Sequence, residues 1–160
     1  MPSSRLTLPL ALVLLGLVAC QSESPSPADA AVAAARAHLR GQVAYPSEYI
    51  PAMRVCAIAA DDPGTGYCAE TAQNAPEFDL AVPAGHWWLA AWPLEDAAGD
   101  PGLLSNASDC IARADAGCDD HALLSIPLAA GETRAGLPIN DWYYDPREFP
   151  PPMQPRPAPR

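Results

Sequence analysis

A chain of 160 residues with a formal net charge of −10, set by 19 Asp plus Glu against nine Arg and no Lys, has the length of one domain. That balance argues against nucleic-acid binding, which depends on clustered basic residues that displace counterions, and against adhesion to anionic lipid through surface charge. The acids are spread along the chain and form no single tract, which describes a solvated surface.

At the N-terminus, Arg5 precedes an apolar run from Leu6 to Val18 broken only by Thr7, Pro9 and Gly16, the layout of a secretory signal over residues 1–19. The run is about thirteen residues, short of the roughly 20 that a helix needs to cross the hydrocarbon core, and no later stretch is longer. It ends in Leu17-Val18-Ala19-Cys20. These residues resemble the bacterial lipobox, which implies cleavage before Cys20 and diacylglycerol on its thiol. Buried acyl chains contribute about 0.8 kcal/mol per methylene, so two or three of them hold a protein on a membrane stably. Gln21, where Asp would retain a lipoprotein at the inner membrane, resembles the outer-membrane sorting signal. The resemblance implies a lipid-anchored protein of the bacterial cell envelope, in the outer membrane and facing the periplasm. Removal of residues 1–19 takes away Arg5 and no acid, so the mature chain is more acidic still.

Residues 20–38 read as the lipidated cysteine, a Ser/Pro tether (QSESPSPA, 21–28) and a short Ala-rich helix. Asp29 is an N-cap candidate for AAVAAARAHL, and Gly41 follows as a stop. From there short apolar runs are punctuated by Pro, Gly, Asp and Asn, the pattern of an all-β fold, a seven-stranded antiparallel β-sandwich over residues 39–145. Strands are predicted near 40–45, 52–60, 66–72, 77–82, 86–92, 122–128 and 133–139. Asp61-Asp62-Pro63-Gly64-Thr65-Gly66 reads as a hairpin turn, with proline presetting φ and glycines permitting positive φ.

With Cys20 assigned to lipid, Cys56, Cys68, Cys110 and Cys118 remain, an even number for an oxidising compartment. Cys56 with Cys68 and Cys110 with Cys118 are the expected disulfides, because each pair flanks a short turn-rich segment. Each would stabilise by roughly 3 kcal/mol in the loop-entropy picture. Neither CxxC nor a paired Cys/His spacing points to zinc.

Phe78-Asp79-Leu80-Ala81-Val82 alternates as a strand, Pro83-Ala84-Gly85 turns, and His86-Trp87-Trp88-Leu89 opens an aromatic strand. This stretch resembles the transthyretin-like or carboxypeptidase regulatory-like β-sandwich, and Gly41-Gln42-Val43 and Ala130-Gly131-Glu132-Thr133 agree with that layout over roughly residues 39–141. The resemblance implies an architecture; a fold of this kind does not fix an activity. Asn74-Ala75-Pro76-Glu77 departs from the glycine such domains often carry before the aromatic strand, and the long 93–121 loop departs from the usual short connection.

The chain has no G-x-S-x-G elbow, H-E-x-x-H helix, P-loop or dinucleotide fingerprint. The expectation is therefore a protein that is not an enzyme, with no cofactor and no metal. A second expectation, from another class, is a small hydrolase or metal-dependent enzyme using His86 and His121 with Asp109, Asp115, Asp119 and Asp120; the acids of that loop would also suit calcium.

Binding candidates are Tyr45 and Tyr49, in the proline-stiffened Tyr45-Pro46-Ser47-Glu48-Tyr49-Ile50-Pro51 connection, together with Trp87 and Trp142. On one strand Trp88 and Trp92 share a face and Trp87 takes the other, so an exposed aromatic on the non-core face would mark a partner site. Residues 146–160 read as a Pro-rich, mildly basic tail. The function expected is that of an envelope module, attached to the membrane through Cys20, that binds another envelope protein or a glycan such as peptidoglycan, or supports an envelope assembly.

Overall fold

The computed structural model describes residues 36–147. The signal segment 1–19, the lipidated Cys20, the tether 21–28, residues 29–35 of the Ala-rich stretch and residues 148–160 of the tail lie outside the described residues.

The strands are β1 (Ala37–Val43), β2 (Met53–Ala59), β3 (Gly66–Glu70), β4 (Glu77–Val82), β5 (Gly85–Pro93), β6 (Gly102–Leu103), β7 (Ile126–Leu128) and β8 (Thr133–Ile139). A 3-10 turn covers Leu94–Asp96 and a short helix, α1, covers Ser108–Ala112. One sheet has the order β4-β1-β8; the other has the order β3-β2-β5, with β6 and β7 both paired to the free edge of β5. The described residues form a mostly β, two-sheet fold.

Two expectations need correction. Ala37, His38 and Leu39, placed at the end of a helix by their Ala-rich context, are strand residues: Ala37 and Leu39 are fully buried on the inner face and pair with Val82 and Leu80. Helix propensity separates residues by under about 1 kcal/mol, less than burying one leucine gains, so tertiary pairing overrides it. The sandwich is also not purely antiparallel, since β1 and β8 run parallel. A parallel pair needs a long crossover, and here nearly the whole domain lies between the two strands.

Alternation sets the main core. On β4, Phe78, Leu80 and Val82 point inward while Glu77 and Asp79 face out. Met53, Val55, Ala57 and Ala59 of β2 meet them from the second sheet with Trp87, Leu89 and Ala91 of β5. Gly41 falls between the inward residues Leu39 and Val43, opposite Phe78. A side chain there would run into the Leu137 carbonyl oxygen and come to 2.8 Å from the Phe78 ring. The pairing of β1 with β8 shifts at this point, where Gly136 takes a φ of 73° that glycine adopts without strain.

The other face of β2 and β5 is buried as well. Cys56, Ile58, Ala90 and Trp92 form a second cluster with Leu103, closed by half-buried Trp88, Cys68, Leu123 and Tyr144. The expected 93–121 loop is the lid on this face, and it contributes β6 and α1. The β2–β3 hairpin forms as expected: Asp62 accepts from Gly64 N and Thr65 Oγ1 at 3.2 and 2.7 Å, and Cys56 opposes Cys68 in the register. Both expected disulfides, Cys56–Cys68 and Cys110–Cys118, are present.

The register gives the domain two ends. At the near end, where Arg36 leads into β1, lie the start of β8, the Pro83-Ala84 link from β4 to β5 and the Asp61–Gly66 turn. At the far end lie the end of β1, the end of β8, and the connections 44–52, 71–76 and 94–101. The seven residues of β1 separate these ends by about 20 Å.

Candidate functional site

The far end gathers most of the expected binding residues. Trp142 follows β8, and its indole nitrogen donates to the Ala44 carbonyl at 2.7 Å. Tyr45 meets the Trp142 ring edge-on, with centroids 4.9 Å apart and planes at 86°. The 44–52 connection is held down by Asn74, whose side chain accepts from Ile50 N at 3.1 Å while its own N–H donates to Ile50 O at 2.9 Å. Asn74 has a φ of 56°, a left-handed conformation that Asn tolerates better than most side chains. Tyr45 and Trp142 are thus half-buried and spend much of their surface on each other. The aromatic rings presented to solvent are Tyr49, 46% exposed, and Tyr143, 65% exposed. Tyr143 was not singled out in the sequence, where three consecutive aromatics give no sign of which one faces outward.

A buried carboxylate positions this surface. Asp141 is fully buried; its Oδ2 accepts from Ser105 Oγ at 2.5 Å and pairs with His121 Nδ1 at 2.8 Å, and its Oδ1 accepts from Tyr143 N at 3.1 Å. Its backbone bridges Leu103 in both directions, at 2.9 and 3.1 Å. Tyr144 OH donates to Pro101 O at 2.6 Å, and Asn140 Nδ2 donates to Ser108 O at 3.0 Å. Residues 140–144 therefore form a strap laced to the 101–108 segment, in which Trp142 is half-buried over Gly102 and Tyr143 is exposed.

Ser, His and Asp meet here, but not in a nucleophilic order. The Ser105 hydroxyl donates to the carboxylate and has no histidine as base, and Ser105 is only 1% exposed, so no substrate carbonyl can reach it. The arrangement gives a buried carboxyl group three hydrogen-bond partners and holds the strap in place.

Burial pushes the Tyr144 phenol far above its ordinary value of about 10, with the charges of Asp100 and Asp141 adding to the effect. The folded state thus keeps a proton that the unfolded chain releases, so stability is fully present below about pH 10 and falls as pH rises above it. The slope is at most about 1.4 kcal/mol per pH unit, reduced by solvent at the half-exposed ring. Urea melts between about pH 9 and 11 should show this decline, and Tyr144→Phe should flatten it.

Gly102 supports Trp142 from below: a side chain at position 102 would overlap the six-membered ring of the indole. Gly102→Ala is expected to eject Trp142 from its place against Ala44 and Tyr45 and to destabilise by roughly 1–3 kcal/mol. Red-shifted tryptophan emission would report the ejection. In the Trp142→Ala background the same change should cost far less, a non-additivity that a double-mutant cycle measures.

Trp87 does not belong to this surface. It is 4% exposed in the main core, packs edge-on against Tyr67 at 5.5 Å and donates from Nε1 to Pro83 O at 3.1 Å. Nor does β5 leave an open aromatic face, because Trp92 is 3% exposed beneath the 93–121 lid.

The two histidines are not brought together. His86 is exposed at the near end, opposite Pro127, beside a shallow depression of about 390 Å³ lined also by Leu128, Glu132 and Arg134. His121 is engaged with Asp141 at the lid. The loop acids are dispersed: Asp115 pairs with Arg113 at 2.8 Å, Asp120 accepts from Asn106 at 2.9 Å, and Asp109 lies in the first turn of α1. Among the described residues, no group of three or more potential metal ligands assembles.

No protein-family model matches the chain, and a comparison with curated proteins finds no match.

Proposed function

We propose that this protein is a lipid-anchored module of the bacterial cell envelope that presents its far end to another envelope protein or to a glycan. The observation that carries the reading is the polarity of the domain. The exposed rings of Tyr49 and Tyr143 lie at the end opposite the one where Arg36 leads toward Cys20. A chain tethered at Cys20 is joined to the domain at its near end, through sixteen residues that span at most about 55 Å and so leave the aromatic end free to meet a partner.

Several features support this address. The Leu17-Val18-Ala19-Cys20 sequence suits lipidation, Gln21 suits the outer membrane, and two disulfides suit the periplasm. In this reading the domain is a transthyretin-like or carboxypeptidase regulatory-like sandwich. The Pro83-Ala84 link that carries the chain from one sheet to the other, with Trp87 bonded back to Pro83, supports that assignment.

Metabolic labelling with palmitate tests the anchor: label should enter the native chain and be absent from Cys20→Ser, and label in both would refute lipidation at Cys20. The surface is tested by a Tyr49→Ser/Tyr143→Ser variant. It should fold normally, since both rings face solvent, yet reproduce the envelope phenotype of a deletion strain. Wild-type behaviour of that variant in a strain where deletion has a phenotype would refute the proposal.

A further inference from the structure

The two disulfides stand in different surroundings. Cys56 is fully buried in the second core cluster, and half-buried Cys68 packs against that cluster from the paired strand β3. A thiol can approach this bond only at the Cys68 sulfur, and attack there would expel Cys56 as a thiolate where burial disfavours charge. Cys110 and Cys118 are both half-buried, and residues 109–120 around them include no buried member. Either sulfur of that pair is open to attack, and either can leave toward water.

The segment between Cys110 and Cys118 is closed by the crosslink rather than by packing. Asp115 N donates back to Cys110 O at 3.2 Å, and the chain returns to Cys118 through left-handed residues at Ala114 and Gly117, with φ of 54° and 77°. Alanine is disfavoured in that conformation, so the chain would leave it once the bond opened. We propose that Cys110–Cys118 is a thiol-exchange site, opened by a dithiol reductant while Cys56–Cys68 stays closed, and that its opening frees residues 109–119 without unfolding the sandwich. The proposal does not depend on the reading of the far end.

In the exchange, a thiolate of the reductant attacks one sulfur of the pair, the S–S bond breaks, and the other cysteine leaves as a thiolate that takes a proton from solvent. The second thiol of the reductant then displaces the first cysteine from the mixed disulfide. The two cysteines together gain two electrons and two protons, and the dithiol is oxidised to its own disulfide. Because the freed segment contributes nothing to either core cluster, the cost of opening stays local.

Timed treatment of the full chain in detergent micelles with dithiothreitol tests this, with an iodoacetamide quench and peptide mapping of each cysteine. Cys110 and Cys118 should become labelled at least about tenfold faster than Cys56 and Cys68. Hydrogen exchange on the same samples should accelerate at 109–119 and stay unchanged in β2 and β5. Cys110→Ser/Cys118→Ser should reproduce that exchange pattern without reductant, with Cys56 and Cys68 still labelled slowly. Labelling of all four cysteines at one rate, earlier labelling of Cys56 and Cys68, or no reduction of Cys110–Cys118 in the folded protein overturns the proposal. Loss of protection in β2 and β5 on opening Cys110–Cys118 overturns it as well.

Discussion

Gly41→Ala is expected to be the most damaging single-methyl change in the domain, costing about 4 kcal/mol or more and leaving little folded protein at ambient temperature. The added carbon would be driven onto the Leu137 carbonyl oxygen from one side and toward the Phe78 ring from the other. Neither neighbour can retreat easily: Phe78 is 6% exposed within the core, and Leu137 belongs to the β8 segment paired to Gly41 itself. Overpacking usually costs about 1–3 kcal/mol when side chains can adjust, but a backbone oxygen cannot adjust without breaking the β1–β8 ladder. Phe78→Leu in the same chain should recover only the ring part of the loss. Urea melts of the single and double variants separate the two contributions, and full rescue by Phe78→Leu would show that the ring, not the carbonyl, sets the cost.

Asp141→Ala should be nearly as costly, about 3–5 kcal/mol, because it leaves the buried Ser105 hydroxyl without its acceptor, removes the tie to Tyr143 N and empties a fully buried position. The loss should be local before it is global. The strap 140–144 loses its central tie, so Trp142 and Tyr143 become mobile while the β2–β5 core, stapled by Cys56–Cys68, persists. Hydrogen exchange should show faster exchange at 140–144 and 103–108 with unchanged protection in β2 and β5. Uniform acceleration across the whole domain would contradict the strap as a separate unit.

Much of this architecture is legible in the sequence because one-sided burial imposes a period of two. Glu77–Val82 alternates cleanly and is a strand, and Asp62 with the glycines around it closes the hairpin it was expected to close. The cysteine pairs were readable because each flanks a short turn. What stayed hidden depends on partners distant in the chain. The parallel β1–β8 pair joins residues nearly a hundred positions apart, and no local pattern announces it. Ala37 and Leu39 sit in a context that favours helix, and only the neighbouring strands make them β. The two residues of β6 are too few to carry a period.

The candidate site was half legible, for the same reason. Tyr45, Tyr49 and Trp142 stood out as aromatics near prolines or at a strand end, and the fold gathers them at one end. Trp87 looked equivalent, but strand alternation fixes only that one face is inward, not which face that is. Asp141 is one of 19 acids, and nothing in its neighbours marks it as the buried one. Its importance comes from Ser105 and His121, which reach it across 36 and 20 residues of chain.

The most direct test of the central claim is in-cell photo-crosslinking from single probes at Tyr49 and Tyr143, compared with probes at Asp61 and His86, followed by mass spectrometry of the adducts. One recurrent envelope species should be captured from both far-end positions and none from the near end. Capture from Asp61 or His86 alone, or from no position, would contradict it.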